Sequence, residues 1–208
     1  MTTAAHDAHA RQTIVTLDLE GVLVPEIWIA VAERSGIDAL RRTTRDEPDY
    51  DVLMRGRLEL LAQHGLALAD IAEVIAGIAP LPGAREFLDE LRSRVQVLIL
   101  SDTFEQFAAP LMRQLGWPAL WCHTLVIDDA GRVADYRLRL PDQKRRAVEA
   151  LHGLNFRVVA AGDSYNDVAM LLEADRGILF HAPDNVRTEF PQLPAVDTYA
   201  DLLTALLP

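Results

Sequence analysis

Short apolar runs alternate with amphipathic segments along most of this chain, and that alternation restricts the fold more than any other feature. IVTLDL, VQVLIL, FRVVAA and GILF are too short for helices and rich in β-formers, which predicts strands buried on both faces. Between them, apolar residues recur at helical spacing. PEIWIAVAERSG has Pro25 near its first turn and Gly36 as terminator, YDVLMRGRLELLAQHG closes at Gly65, and LALADIAEVIAGI stops at PLPG. AREFLDELRS, FEQFAAPLMRQLG, PDQKRRAVEALHG and DVAMLLEA read as further helices, with Pro110 expected to kink or divide the second of these. HTLVIDDAGRVADYRLRL predicts a β-hairpin turning at Asp-Ala-Gly, and VDTY a late strand. The pattern implies an α/β fold, a mostly parallel sheet covered by helices on both faces.

One spacing departs from a simple strand-helix-strand repeat. Residues 20–94 separate the first strand from VQVLIL, far more than one crossover helix requires. Residues 25–79 are therefore read as a small helical cap, inserted into a core of residues 12–24 and 80–208. Ligands in such sheets bind at the carboxyl ends of strands, so the cap is expected to act as a lid. Residues 1–11 read as a flexible tail, in which His6 and His9 are solvated side chains.

At 208 residues, half of them hydrophobic, the chain can bury a sizeable core and is not disordered over most of its length. A net charge of −11 argues against nucleic acid or an anionic membrane as the main partner. No run is long enough for a membrane span, and MTTAAHDAHARQ lacks the apolar segment of a secretory signal. The single cysteine, Cys122, reads as a small core hydrophobe and suits the reducing cytoplasm. Oligomeric state is not written in the sequence, which leaves a homodimer open.

Polar residues gather at the strand ends. Asp18 and Glu20 stand two apart, on one side of a strand end, where two acids repel unless a cation or shared proton lies between them. Ser101 and Asp102 follow VQVLIL, Lys144 opens a helix, and Asp163 and Asp167 flank a strand-to-helix turn with Asn166 between them. Each has an ordinary alternative: Ser101 and Asp163 as helix caps, Lys144 as part of a solvated KRR face, Asn166 as a turn former. In the cap, Tyr50, Leu53, Arg57 and Leu60 share one helical face, so Arg57 is either a structural ion pair or a fork that grips a carboxylate. Glu26 is either a first-turn acid favoured by the helix dipole or a ligand group.

Taken in order, D-x-[DE]-G-V at Asp18, a strand ending in Ser101, then Lys144, then G-D-x-x-N-D at Asp163 resemble the haloacid dehalogenase-like phosphatases over nearly the whole chain. DLEGVLVPEIWIA, TTRDEPDYDVLM, SDTFEQF and GILFHAP are more similar to a narrower group, the bifunctional phosphoserine phosphatase/homoserine phosphotransferases. Glu20 stands where the superfamily usually has aspartate, and Ser101-Asp102 where ordinary phosphoserine phosphatases tend to have Ser-Gly. The resemblance implies a Rossmann-like core and a phosphoserine phosphatase reaction through an aspartyl-phosphate. Asp18 is then the nucleophile and Glu20 the acid/base, while Ser101 and Lys144 bind the phosphoryl oxygens. It implies Mg²⁺ held by Asp18, the backbone carbonyl of Glu20 and Asp163, with Asp167 orienting or supplementing them. Arg57 takes the substrate carboxylate, Glu26 its ammonium, and Asn166 and Asp102 help to position it. Homoserine is the implied second acceptor.

Three other readings fit less of the chain. A phosphorylated signalling receiver needs no lid of this length, and a haloalkanoate dehalogenase needs no Asp163/Asp167 metal site. A non-catalytic relative would be expected to lack a key acid. A phosphatase for another small phosphorylated metabolite remains the nearest alternative.

Overall fold

The computed structural model describes residues 11–43, 46–47 and 49–207. The expected tail, except Arg11, and Thr44, Arg45 and Pro48 of the second motif lie outside the described residues. The apolar runs form strands β1 (Gln12–Leu17), β2 (Gln96–Phe104), β3 (Ala119–Ile127), β4 (Val133–Arg137), β5 (Phe156–Gly162), β6 (Arg176–Phe180) and β7 (Ala195–Val196). They make a seven-stranded sheet in the order β4-β3-β2-β1-β5-β6-β7. Neighbouring strands are parallel except the β3–β4 hairpin, which turns through Gly131 at φ +78°.

The central strand has no solvent face. Val15 and Leu17 pack on one side of the sheet with Ile99, Val159 and Ala161, while Ile14 packs on the other with Leu98, Leu100, Val158 and Ala160. That two-sided burial is why these strands read as continuous apolar runs. Leu17 pairs with Ile99 of β2 and Ala161 of β5, so the residue after it emerges between two strand ends. The chain builds β2, β3 and β4 to one side of β1, then crosses to β5 on the other. The reversal opens a crevice at the carboxyl ends of β1 and β5.

Helices α1 (Ile27–Ser35), α2 (Tyr50–Gln63), α3 (Leu68–Ala76) and α4 (Ala84–Arg92), with a 3₁₀ turn at Asp38–Arg41, occupy the long interval between β1 and β2. Gly36, left-handed at φ 73°, ends α1 by donating its N–H to the Ala32 carbonyl. The Asp49 carboxylate caps α2 by accepting from the N–H groups of Asp51 and Val52. Arg55 and Asp51 tie α2 to the hairpin through Asp135 (2.9 Å) and the Tyr136 hydroxyl, and Leu68 N–H donates to Gly131 (3.0 Å).

The remaining helices are α5 (Glu105–Gln114), α6 (Gln143–Gly153), α7 (Tyr165–Glu173), α8 (Asp184–Glu189) and α9 (Tyr199–Leu206). Three local expectations need correction. Of the two outcomes expected at Pro110, division is ruled out: it sits inside one continuous α5, because Phe107, Ala108, Leu111 and Met112 bury its apolar face and outweigh the lost hydrogen bond. Strand β2 does not stop before Ser101 but continues to Phe104, with an irregular register after Leu100. Of VDTY, only Val196 is in a strand. Thr198 accepts from Asp201 N–H and caps α9, so local hydrogen bonding overrides β-propensity there.

Candidate active site

Asp18 leaves the end of β1 with its N–H donated to the Ala161 carbonyl (3.0 Å), and its Oδ1 accepts from Leu19 N–H (2.8 Å). The chain then turns through Gly21 at φ +76°. A Cβ there would lie 2.4 Å from Asp163 Oδ2, so only glycine lets the first loop approach β5 so closely. From the other strand end, Asp167 in the first turn of α7 folds back, its Oδ2 accepting from the N–H groups of Asp163 (3.0 Å) and Ser164 (3.2 Å). Lys144 enters from the first turn of α6. Its Nζ lies 2.7 Å from Asp167 Oδ1, 3.0 Å from Asp18 Oδ1 and 3.7 Å from Asp102 Oδ2.

Asp18, Asp163, Asp167, Lys144 and Ser101 are all buried. Burial penalises the Lys144 ammonium, but Asp167, Asp18 and Asp102 outweigh it and push its pKa up. Burial, then Asp167, raise the Asp18 pKa well above the carboxylate range despite Lys144. The three acids Asp18, Asp163 and Asp167 each offer an oxygen within 4.8 Å of the others. Three carboxylates against one ammonium leave a net charge of −2 at full ionisation (−3 + 1). Buried hard oxygen donors with that excess charge fit a divalent cation such as Mg²⁺.

Glu20 and Glu26 approach from the loop before α1. Glu20 Oε2 accepts from Ile27 N–H (2.8 Å). Burial, then the charge of Glu26, push the Glu20 carboxyl up to about 8, while the Ile27 bond and Arg57 pull the other way. Arg57 is buried on α2, and burial lowers its guanidinium to about 10 against the attraction of Glu20, Tyr50 and Glu26. Among the described residues no carboxylate is paired with it within 4.0 Å, and Glu20 and Glu26 act on it as nearby charges. Its Nη2 donates to the Arg42 carbonyl (2.7 Å), and its Nε is buried without a hydrogen-bond partner.

A small polar cavity joins these groups. Asp18, Glu20, Glu26, Arg57, Ser101, Asp102, Lys144, Asp163 and Asn166 all line it, with Asp167 bonded to Lys144 beneath. Tyr50 and Leu53 line it too, whereas Leu60 of the same helical face does not. Sequence reasoning missed Trp28 and Thr43 on the wall, and His123 and Gln143 behind Asp102. Gln143 Nε2 donates to Asp102 Oδ1 (2.9 Å) and to the Ser101 carbonyl (2.6 Å). His123 Nδ1 accepts from Arg139 N–H (3.1 Å), which puts its ring proton on Nε2, 3.4 Å from Asp102 Oδ1. Burial disfavours the charge on Asp102, but Lys144, His123 and Gln143 prevail and hold it far below the usual range. Only the position of Gln143 beside Lys144 offered a signal. His123 comes from β3, the strand beside β2, and no local pattern links it to Asp102.

A parallel sheet reversing beside β1, with acids at the ends of β1 and β5 around one lysine, defines the class. The family model for haloacid dehalogenase-like hydrolases matches residues 12–175, and the chain belongs to that family. It is 66% identical to the phosphoserine phosphatase ThrH of Pseudomonas aeruginosa, over 91% of this chain and 92% of that protein. It is 64% identical to a phosphoserine phosphatase of Pseudomonas syringae pv. tomato, over 91% of this chain and 80% of that one. Among solved structures, a substrate-bound phosphoserine phosphatase complex superposes with a TM-score of 0.78 at 19% identity, covering 95% of this chain and 99% of that one. A phospho-aspartyl intermediate analogue of phosphoserine phosphatase gives 0.77 at 20% identity, covering 93% and 98%. Among the described residues, no helix is long and apolar enough to cross a membrane.

Proposed function

We propose that this chain is a Mg²⁺-dependent phosphoserine phosphatase that works through a phosphorylated Asp18 and also passes the phosphoryl group to homoserine. The observation that carries the reading is one cavity that gathers Asp18, Glu20, Ser101, Lys144 and Asp163, with Asp18 oriented by Leu19 N–H and the Glu20 carboxyl pushed up by burial and Glu26. The names of the two Pseudomonas relatives, at 66% and 64% identity, support phosphoserine as substrate. Asp18, the Glu20 carbonyl and Asp163 would hold the cation, with Asp167 orienting them. Bound there, Mg²⁺ supplies positive charge that offsets repulsion between a carboxylate and a phosphate dianion.

The residues then divide the reaction. An Asp18 carboxylate oxygen bonds to phosphorus as the bond from phosphorus to the serine oxygen breaks. The Glu20 carboxyl gives its proton to that oxygen, and serine leaves neutral at the hydroxyl. Ser101 and Lys144 hold the phosphoryl oxygens. In the second half, Glu20 as carboxylate takes a proton from water or an incoming alcohol. The new oxygen bonds to phosphorus and the Asp18 carboxylate departs. Arg57 receives the substrate carboxylate and Glu26 its ammonium, with Asn166 and Asp102 flanking. Residues 25–79 serve as the cap that excludes water. A small polar substrate and a lone cysteine support work in the cytoplasm.

The test is acid quench of the enzyme with phosphoserine and Mg²⁺, followed by peptide mass analysis. Phosphate on Asp18 is expected. Turnover with phosphate trapped on another residue, or preference for an unrelated sugar phosphate, overturns the reading.

A further inference from the structure

Arg57 carries a full charge in a buried place, yet among the described residues no carboxylate is paired with it. What it has instead is the face of Trp28, with the guanidinium carbon 4.6 Å from the ring centroid. An aromatic face attracts a cation and, for planar arginine, also sets the plane of the group. The indole is itself fixed, buried in the first turn of α1 and in T-shaped contact with Phe107 (centroids 5.7 Å apart, planes at 72°). Within that plane, Nη2 is anchored to the Arg42 carbonyl at 2.7 Å and Nη1 lies 3.6 Å from Met54 Sδ. Nε is the donor left without a partner.

We propose that Trp28 is the positioning residue for carboxylate recognition: its ring and the Arg42 carbonyl fix the Arg57 guanidinium in the cavity that both residues line, in the plane in which it meets the substrate carboxylate. The inference rests on the reading of Arg57 given above and adds the part that orients it. A carboxylate accepts from a guanidinium in its own plane, so a guanidinium free to rotate loses selectivity before it loses charge. Trp28 also replaces the water stripped from a buried cation, a job an aliphatic side chain of similar size does not do.

The experiment compares phosphoserine with phosphoethanolamine, which keeps the ammonium and lacks the carboxylate. Trp28→Leu should lower the ratio of the two kcat/KM values roughly tenfold, mainly through KM for phosphoserine. Trp28→Phe, which retains a smaller aromatic face, should recover much of it, and it reads the effect even if Trp28→Leu does not fold. In an Arg57→Ala background, Trp28→Leu should change the ratio no further, because the two act as one unit. Equal losses on both esters, or an additional loss of selectivity in the Arg57→Ala background, overturn the inference. Equal losses from Arg57→Ala itself sink the carboxylate reading and this inference with it. A selective Arg57→Ala beside an unselective Trp28→Leu sinks the inference alone.

Discussion

The ammonium of Lys144 lies 3.0 Å from Oδ1 of Asp18, and both side chains are buried. Leu19 N–H donates to the same oxygen, so the Asp18 carboxylate is oriented before any substrate arrives. The same lysine also faces Asp167 and Asp102, which makes one cation answer for several anions. Burial and the neighbouring acids raise the Asp18 carboxyl, so the cluster holds its own repulsion around that one cation.

Asp18→Asn should abolish phosphoenzyme formation and leave the fold intact. Burial and Asp167 disfavour the Asp18 charge, so removing it relieves the metal-free protein. Without metal, the thermal midpoint of the variant should equal or exceed that of the parent. A drop of several degrees would contradict the electrostatic account.

Glu20 should set the alkaline limit of the phosphoryl-transfer half-reaction. With its folded pKa pushed up to about 8, it is protonated at pH 7 and loses that proton above 8. The burst of serine release should therefore weaken above about pH 8, and Glu20→Gln should flatten that limb while lowering the rate. For stability the sign follows from proton binding. The folded protein holds the Glu20 proton more tightly than the unfolded chain, so this group favours folding at low pH. That contribution is lost as pH rises from the ordinary carboxylate range through about 8. Denaturant titrations at pH 6 and pH 9 on parent and Glu20→Gln measure it.

Chelation should stop turnover, and Mg²⁺ should restore it and raise the thermal midpoint, because Asp18, Asp163 and Asp167 repel one another without it. Ca²⁺, with its looser coordination, should bind and inhibit. Full activity in excess chelator is the contrary result.

Gly21→Ala should act on the metal site through sterics. Its φ of +76° strains a side chain, and the added methyl would meet Asp163 within 2.4 Å. Mg²⁺ affinity should fall about tenfold or more, with roughly 1 kcal/mol lost from metal-free stability. Calorimetric titration and denaturant unfolding read the two effects separately.

Homoserine should compete with water for the phosphoenzyme. It has the same ammonium and carboxylate as serine and one more methylene, which a pocket discriminates by only about 1–3 kcal/mol. With phosphoserine, Mg²⁺ and saturating homoserine, phosphohomoserine should appear at the expense of free phosphate. Phosphate as sole product would make this protein a phosphatase only.

Much of this protein was legible in the sequence where a single local cause acts. The runs IVTLDL, VQVLIL, FRVVAA and GILF had to be buried strands because no solvent face interrupts them. Gly36, and Gly65 just beyond the end of α2, marked helix ends because only glycine enters the left-handed region freely. Asp18, Lys144, Asp163 and Asp167 announced a charged site because they sit where strands give way to loops or helices. Where two local tendencies compete, the sequence misled. Pro110 stays within one helix because that helix buries its apolar face, and Thr198 caps a helix in a segment that reads as β.

Tertiary structure alone decided the rest, because those properties belong to groups far apart in the chain. The strand order brings β5 beside β1, and with it Asp163 and Asp167 to Asp18. His123, from β3, meets Asp102 only because β2 and β3 are neighbours. Trp28 under Arg57 joins two helices that no spacing rule relates. The Glu20 pKa near 8 exists only once folding removes water from that carboxyl and sets Glu26 next to it. Residue types and their order determine which chemistry the chain can attempt. Distances and desolvation, which the sequence does not encode locally, determine which groups are charged, oriented and able to act together.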